Sequence, residues 1–477
     1  MHAPVDPHRP RVKRLGLPPP IHALADHGLP RATRIVLLLV LLLFLQLPLI
    51  LNPGYFSHDE LQWWSRADVP AWTDLPWVPW LDLSPLQYRP LTFNLWLVLA
   101  HEFAATPWLM HLVFVALGTA NAWLLARFLA GVLTPPLVCS IAAIVFALSP
   151  CAVYVHGWTA TLADLLTLAF ALGSALLIQG ATRDESLARS ALRAISTASL
   201  VALALASKES AIVMPLLLAL VAFAEPSTRG ARLPVALAVA VVAGYLALRI
   251  PVLAASAGID PAYAWSLRNI PVRTLEYLLY PFTPPLFEIA PLLNVSAPRL
   301  ACAGVCVALL LGALATLGWR WPAAWLVAFI GALAPVLVLS TAYDQYAYLA
   351  TAAGVAIAAC AWPRLALRSR VILAILATIV IAHGAAVARR MVQAGILERN
   401  LHADLLAELE RDASTPLVVI LSDPRDGWLV GRLLGDVERY RGVPMTAVRV
   451  SETGESAAGA RRFAMDRDGH LRADPRP

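Results

Sequence analysis

Runs of apolar residues about as long as a membrane is thick recur along this chain from residue 35 to residue 388. The first run reads "RIVLLLVLLLFLQLPLILN" and occupies residues 34–52. A helix rises about 1.5 Å per residue, so crossing ~30 Å of hydrocarbon takes about 20 residues. Because backbone groups in lipid must bond internally, repeated runs of this length predict a bundle of transmembrane helices.

Composition supports the same fold class. The chain has 477 residues, of which 59% are hydrophobic and 14% are charged, whereas soluble domains carry about 25% charged residues. The net charge of +6 does not indicate a nucleic-acid partner, because the basic residues lie mostly in short loops, where they set orientation. The five cysteines lie in or beside apolar runs and are interpreted as packing residues with no disulfide framework.

Basic residues fix the predicted topology. They precede the first run, so the N-terminus is expected in the cytoplasm and residues 52–90 outside it. Further apolar segments are predicted at 91–106, 109–129, 136–155, 161–179, 191–207, 210–224, 233–250, 297–318, 322–341, 346–362 and 371–388.

Strict alternation of all twelve segments would place basic loops outside the cytoplasm. The conflict disappears if 91–106 does not cross, and His101 and Glu102 interrupt that segment, where charges in lipid are costly. The prediction is therefore eleven crossings with an external C-terminus. The alternative is twelve crossings with a cytoplasmic tail.

Three regions follow from this pattern. Residues 1–34 are Pro-, His- and Arg-rich, show no cleavable signal peptide and are expected to be disordered. Residues 35–389 form the membrane domain, with a first external loop and juxtamembrane helices at 52–108. Residues 390–477 predict a small external α/β appendage, with an amphipathic helix, a strand in "TPLVVILSDP" and a second strand in "RGVPMTAVRV".

Under this topology, five polar stretches meet on the outer face. They are "SHDELQWW", "LQYRPLTFNLW", "FALSPCAVYVHGWTATLADLL", "LALASKESAIVMPLLL" and "LSTAYDQYAYLATAAG". The convergence of loops from distant parts of the chain favours a functional site.

Each stretch also has a structural interpretation. Asp59 and Glu60 could begin an interfacial helix, where negative charge is favourable, and Lys208 and Glu209 could form a salt bridge in a tight hairpin. The aromatic residues and His156 could anchor the membrane interface. Asp164 is harder to explain structurally, because an acid one turn into an apolar helix needs a partner or a role.

Four motifs carry a resemblance to a known class. "SHDE", "YRPL", "FALSP…HGWTATLADLL" and "ASKESAIVMPLLL" together resemble the GT-C class of membrane glycosyltransferases, in particular the protein O-mannosyltransferases and the transmembrane, tetratricopeptide-containing mannosyltransferases. The resemblance covers roughly residues 35–360. The tail after residue 390 shows no tetratricopeptide repeats.

The resemblance implies transfer of a sugar from a lipid-phosphate donor, with inversion, on the non-cytoplasmic face. The family's base matches Asp59, with Glu60 as a second acid, and a carboxylate suits general-base work. Arg89, Lys208 and Tyr88 are expected to bind the donor phosphate, since guanidinium groups contact phosphate oxygens bidentately. Supporting or sugar-binding roles are expected for Asp164, which could hold Arg89 or His156, for Glu209, which could orient Lys208, and for His156, Trp158, Tyr343, Asp344 and Tyr346.

The predicted function is an inverting glycosyltransferase of a bacterial inner membrane. Its donor would be a polyprenyl-phosphate sugar, and the Ala-, Leu- and Arg-rich composition favours undecaprenyl phosphate. The acceptor is open, no metal ligands are assigned, and a divalent-metal requirement is open because His58 alone is a weak indication. Three other functions stay open: a lipid-linked-sugar transporter or flippase, an O-antigen ligase or polymerase, and an inactive scaffold whose periplasmic tail binds partners.

Overall fold

The computed structural model describes residues 30–132, 134–181, 185–224, 230–256, 264–412, 415–421, 427–435, 437, 439–451 and 460–474. The predicted disorder of residues 1–34 therefore falls almost wholly outside the described residues. The α-helices of the described part are, in chain order, α1 (Arg31–Leu45), α2 (Leu47–Ile50), α3 (His58–Ala67), α4 (Pro90–Phe103), α5 (Pro107–Gly131), α6 (Pro136–Ala147), α7 (Pro150–Gly157), α8 (Leu162–Gln179), α9 (Leu187–Ser207), α10 (Met214–Ala224), α11 (Arg232–Ser256), α12 (Ile270–Leu279), α13 (Ala297–Ala315), α14 (Arg320–Leu333), α15 (Tyr348–Ala361), α16 (Leu367–Arg411) and α17 (Gly427–Leu434).

The helices confirm a polytopic, mainly α-helical membrane protein with a small C-terminal sheet. Within the described ranges, seven helices are long and apolar enough to cross a membrane, and a bent pair would make an eighth. Three shorter apolar helices accompany them, Ala32–Leu45, Glu209–Phe223 and Arg320–Leu333. The count of eleven crossings stays a prediction.

Helix α4, which the sequence predicts not to cross, has 14 residues. Its C-terminal end contacts the preceding external segment: His101 Nδ1 lies 3.1 Å from the Ala67 carbonyl oxygen, and Trp72 Nε1 donates to Glu102 at 2.9 Å. The two polar side chains at this end of α4 thus have partners in the preceding segment, and whether α4 crosses the membrane stays a prediction.

The predicted span at 136–155 is two helices, α6 and α7, bent by 62°. The reason is Pro150, which cannot donate to an α6 carbonyl and starts a new helix instead. Ser149 caps α7 by accepting from the Ala152 amide at 3.4 Å. The bend directs α7 and the following residues, 158–164, toward the outer-face loops.

Helix α16 is a single helix of 45 residues, about 68 Å long at 1.5 Å per residue. The predicted boundary between residues 389 and 390 therefore falls inside one continuous helix. Both predicted strands are present, the first as β1 and the second as β3 and β4. The strands of the appendage are β1 (Leu417–Leu421), β2 (Arg439–Tyr440), β3 (Val443–Pro444), β4 (Val448–Ser451), β5 (Arg461–Met465) and β6 (Leu471–Ala473).

The appendage sheet has the order β4-β1-β5-β6. Strand β1 is its buried centre and pairs in parallel with β4 and β5, while β5 and β6 are antiparallel. All five residues of β1 are buried, which explains its continuous apolar sequence, as expected for a central parallel strand.

The second half of α16 contacts the segment that follows α2. Gly54 lies against Gly395 of α16, and the Tyr55 amide donates to Glu398 at 3.0 Å. The number of crossings, eleven or twelve, stays a prediction.

Candidate active site

Asp59 lies in the first turn of α3, where negative charge is stabilised by the helix N-terminus. Ser57 is the N-cap, and Ser57 and Glu60 form a capping box that fixes the start of the helix. The Asp59 side chain is 43% exposed, and its Oδ1 lies 3.5 Å from His58 Nε2. Asp59 is therefore an accessible carboxylate on a well-defined helix start.

Glu60, its neighbour, is 1% exposed. One carboxylate oxygen accepts from the amides of Phe56 and Ser57 at 2.6 and 2.9 Å, and the other accepts from the amide and hydroxyl of Thr159 at 2.8 and 2.7 Å. Burial raises the pKa of Glu60 from 4.5 to about 7, although these hydrogen bonds lower it. Glu60 thus ties the start of α3 to residue 159, with both oxygens occupied.

Four charged residues form what we call the four-charge cluster: Arg89, Asp164, Lys208 and Glu209. Arg89 contacts Glu209 through Nη2 at 2.8 Å and Nε at 2.9 Å. Lys208 Nζ lies 2.5 Å from Asp164 Oδ1. The Lys208–Asp164 pair is buried, with side chains 4% and 9% exposed, whereas the Arg89–Glu209 pair is 16% and 22% exposed.

The pairing differs from the expected one, in which Glu209 orients Lys208 and Asp164 holds Arg89 or His156. Lys208 follows α9 in an extended conformation, with φ −158° and ψ 136°. Adjacent side chains point in opposite directions from an extended backbone. Lys208 therefore reaches Asp164, while Glu209 reaches Arg89.

The predicted residues 343–346 border the cluster. Lys208 Nζ lies 4.5 Å from the centre of the Tyr346 ring, a cation–π arrangement, and Tyr346 packs edge-on against Tyr343. The Tyr343 amide donates to the Tyr277 hydroxyl at 3.2 Å. Asp344 is buried, and its carboxylate accepts from the Ile289 amide at 3.1 Å instead of pairing with a cation of the four-charge cluster.

Tyr88 is held beside the cluster by residues of its own loop and of α11. Its hydroxyl donates to the Trp80 carbonyl at 2.7 Å, and Arg249 lies 5.6 Å from its ring centre. Arg249 is fully buried and donates to the carbonyls of Leu83, Pro85 and Leu86. It therefore shapes the loop that presents Arg89.

His156 and Trp158 separate in the structure. His156 is fully buried between Gln46 and Tyr348, at 2.5 and 2.9 Å, and lies away from the four-charge cluster. Trp158 faces the start of α3, where its Nε1 donates to Ser57 Oγ at 3.1 Å.

A second group, which we call the appendage cluster, consists of His58, Tyr154, Glu288 and Arg432. Arg432, on α17, contacts Glu288 Oε1 at 2.9 Å and the Tyr154 hydroxyl at 3.4 Å. Its guanidinium lies 4.3, 4.9 and 5.6 Å from the ring centres of Phe56, Trp158 and Trp428. The Tyr154 hydroxyl also donates to Glu288.

Arg432 also contacts α3 through its backbone, since its carbonyl oxygen lies 3.0 Å from His58 Nδ1. Burial alone would lower the pKa of Arg432, yet the oxygens of Tyr154, Glu288 and Asp59 raise it above its usual value. The guanidinium is therefore a fixed positive charge beside the start of α3.

The sequence interpretation missed Arg249, Glu288 and Arg432. Arg249 carries a signal, because it is a charge inside the predicted apolar segment 233–250. Glu288 is the one acid in "FTPPLFEIAP", a weaker signal. Arg432 carries none, because its position depends on docking of the whole appendage.

Residues 158–164 join the two clusters. Trp158 and Thr159 bond to Ser57 and Glu60, and Trp96 Nε1 of α4 donates to the Thr159 carbonyl at 2.6 Å. At its other end this segment carries Asp164 of the four-charge cluster. Among the described residues, no three His, Cys, Asp or Glu side chains are grouped so as to hold a metal ion.

No protein-family model and no curated protein matches the chain. Similar solved structures include the crystal structure of ArnT from Cupriavidus metallidurans bound to undecaprenyl phosphate, at 15% identity over 82% of this chain and 83% of that one, with a TM-score of 0.48. Two structures of the Archaeoglobus fulgidus oligosaccharyltransferase are also similar. The one tethered with an acceptor peptide matches at 13% identity over 84% of this chain and 63% of that one, with a TM-score of 0.44. The one in complex with an inhibitory peptide and a dolichol-phosphate matches at 12% identity over 84% of this chain and 64% of that one, with a TM-score of 0.41. These proteins are GT-C membrane glycosyltransferases, and the mannosyltransferase subgroup stays a prediction. At these similarities the function has to be argued from the chain's own residues.

Proposed function

We propose that this protein is an inverting glycosyltransferase that moves a sugar from a polyprenyl-phosphate donor to an acceptor hydroxyl. The observation that carries the proposal is that residues 158–164 connect the helix start that bears the accessible Asp59 to the cluster that holds two cations: Trp158 and Thr159 bond to Ser57 and Glu60, and Asp164 pairs with Lys208. The second cation, Arg89, pairs with Glu209, which follows Lys208 in the chain. A base and a phosphate-binding pair are the two components that this displacement needs from the protein.

In the proposed step, the acceptor oxygen attacks the anomeric carbon while the bond from that carbon to the phosphate oxygen breaks. The acceptor proton passes to Asp59, and the electron pair of the broken bond leaves with the lipid phosphate. Asp59 suits the base role because it is exposed, whereas both oxygens of Glu60 accept hydrogen bonds. Glu60 instead holds the base helix in position.

The two cations divide the phosphate-binding role. Arg89 belongs to the more exposed pair and can meet a lipid headgroup directly, with a fork of donors suited to phosphate oxygens. Lys208 is buried against Asp164 and adds positive potential from beneath. The cluster holds two cations and two carboxylates, so a bound phosphate would compete with Glu209 for Arg89.

The proposed site faces the periplasm of a bacterial inner membrane, and the proposed carrier is undecaprenyl phosphate. These assignments rest on the basic residues before α1 and on the composition. The four motifs that resemble GT-C enzymes contribute Asp59, Arg89, Asp164 and Lys208, so the proposed chemistry uses the residues that carry the resemblance.

The test is transfer of radiolabelled sugar from a panel of undecaprenyl-phosphate sugars to acceptors in isolated membranes. Asp59→Asn is expected to reduce the rate by about a hundredfold to ten-thousandfold, the usual range for losing a general base. Asp74→Asn is the matched control, because Asp74 is an acid of the same loop in an exposed 3-10 turn. Equal activity of Asp59→Asn and wild type would remove Asp59 from the mechanism, and no transfer with any donor would remove the enzyme assignment.

A further inference from the structure

The C-terminal appendage reaches the proposed base through Arg432. Arg432 projects from α17 into a space enclosed by the rings of Phe56, Trp158 and Trp428. Phe56 and Trp158 belong to the membrane domain, and Phe56 precedes the helix start that carries Asp59 by a few residues. An arginine of the appendage is thus built into the site region.

Two contacts fix the position of Arg432. Its guanidinium donates to Glu288 at 2.9 Å, and its carbonyl oxygen accepts from His58 Nδ1 at 3.0 Å. Because a carbonyl can only accept, His58 Nδ1 carries the proton. The other ring nitrogen, Nε2, then faces Asp59 at 3.5 Å.

We infer that Arg432 is a positioning residue for Asp59, supplied to the site by the appendage. This role depends on the proposed function, and it makes the appendage a contributor to the reaction. The carbonyl oxygen of Arg432 accepts from the His58 ring, and its guanidinium packs on Phe56 and Trp158, beside the start of the helix that carries Asp59.

The charges around Asp59 come from several elements. His58 lies beside it on α3, Arg432 faces it from α17, and Glu288 and Tyr154 bind Arg432 from the opposite side. Of these, Arg432 is the fixed cation, held beside the start of α3 by Glu288 and by the rings of Phe56 and Trp158.

The first test does not depend on enzyme activity. In a background with the five native cysteines replaced by alanine, Asp59→Cys places a thiol at this position, and its alkylation by iodoacetamide is followed against pH. Adding Arg432→Gln is expected to move the midpoint of this profile upward by about half to one pH unit, because the thiolate loses its neighbouring cation.

Arg441→Gln is the matched control. Arg441 is also an arginine of the appendage, and its guanidinium lies 5.4 and 5.7 Å from the ring centres of Trp64 and Tyr440. Replacing Arg441 therefore removes a comparable cation–π contact at the same interface, but Arg441 does not contact His58 or Glu288. A purely structural role of Arg432 predicts the same profile for both variants, and that result would overturn the inference.

The second test uses transfer of radiolabelled sugar by the intact protein. Arg432→Gln is expected to lower kcat about tenfold with little change in KM for the donor. Arg432→Lys should recover part of the rate, whereas Arg441→Gln should resemble wild type. Unchanged kcat in Arg432→Gln would refute the inference while leaving the glycosyltransferase assignment intact. Failure of wild type to transfer any sugar would refute that assignment, and the alkylation profile would still decide the role of Arg432.

Discussion

The four-charge cluster and the appendage cluster handle buried charge in different ways. In the first, two cations meet two carboxylates, and the inner pair, Lys208 and Asp164, is almost fully buried. In the second, one guanidinium is paired with the Glu288 carboxylate, and aromatic rings surround the rest of it. Charge pairing stabilises the four-charge cluster, while aromatic faces replace water around the Arg432 guanidinium of the appendage cluster.

The difference shows what each cluster can tolerate. Removing one partner from an ion pair leaves an uncompensated charge, and the cost is larger for Lys208 and Asp164, whose side chains are 4% and 9% exposed, than for Arg432 and Glu288, whose side chains are 18% and 25% exposed. We therefore expect the four-charge cluster to dominate stability. The appendage cluster is expected to act mainly on the position of the helix start that carries Asp59.

The largest expected effect is that of Lys208→Met. The substitution leaves the Asp164 carboxylate buried without its 2.5 Å partner, and breaking such a pair costs about 3–5 kcal/mol. The measurement is the free energy of unfolding in mixed micelles, compared with wild type at the same detergent concentration.

The double variant Asp164→Leu/Lys208→Met separates the ion pair from general packing. Replacing both charges by apolar groups is often neutral, so the double variant should regain most of the loss. If the two single losses simply add in the double variant, the pair is not coupled and the comparison between the clusters fails.

A somewhat smaller effect is expected from the pH dependence of Glu60. Its pKa of about 7 in the folded protein exceeds the ordinary value of 4.5, so the folded protein holds this proton more tightly than the unfolded chain. The resulting stabilisation is complete below about pH 4.5 and is lost as the pH rises through 7, with an upper limit of about 3 kcal/mol.

The measurement is the free energy of unfolding of wild type and Glu60→Gln at pH 5 and pH 8. Wild type should lose more stability than the variant between these pH values, because the amide does not titrate. A parallel pH dependence of both proteins would show that Glu60 is ionised throughout this range and that its four hydrogen bonds outweigh its burial.

The sequence predicted the four-charge cluster better than its pairing. Charged residues at the ends of apolar helices are conspicuous, because a charge near lipid is costly and is retained mainly where it has a partner or a function. The pairing of cations with acids depends on the extended backbone conformation of Lys208. Neither composition nor residue spacing specifies that conformation. The same holds for Asp59 and Glu60, which are adjacent in sequence yet differ completely in exposure.

The appendage cluster could not be predicted in this way. Its members come from α3, α7, α17 and residue 288, and they meet only because the 45-residue α16 carries the appendage back over the first external segment. Periodicity located the helix and strand β1, but the continuity of α16 across residue 389 was hidden by the change from apolar to amphipathic sequence.

The smallest of these effects is expected at the seat of the appendage, from Gly395→Ala. A Cβ at Gly395 would overlap the Asn52 side chain, just as a Cβ at Gly54 would overlap the Gly395 carbonyl oxygen. Overpacking of this kind typically costs about 1–3 kcal/mol. Because the Tyr55 amide donates to Glu398 across the same interface, its hydrogen exchange should accelerate by roughly fivefold to 150-fold if exchange follows local opening.

Gly431→Ala is the matched control on the appendage itself. Gly431 lies inside α17 with open space around its Cα, so alanine should stabilise that helix by about 0.5–1 kcal/mol. Exchange at Tyr55 should then be unchanged or slower. If both glycine variants left exchange at Tyr55 unaltered, the close approach of α16 to residues 52–55 would not hold the appendage in place, and the aromatic contacts of Arg432 would have to carry the docking. In that case Arg432→Gln would become the variant that releases the appendage, and the division between a stabilising cluster and a positioning cluster would no longer stand.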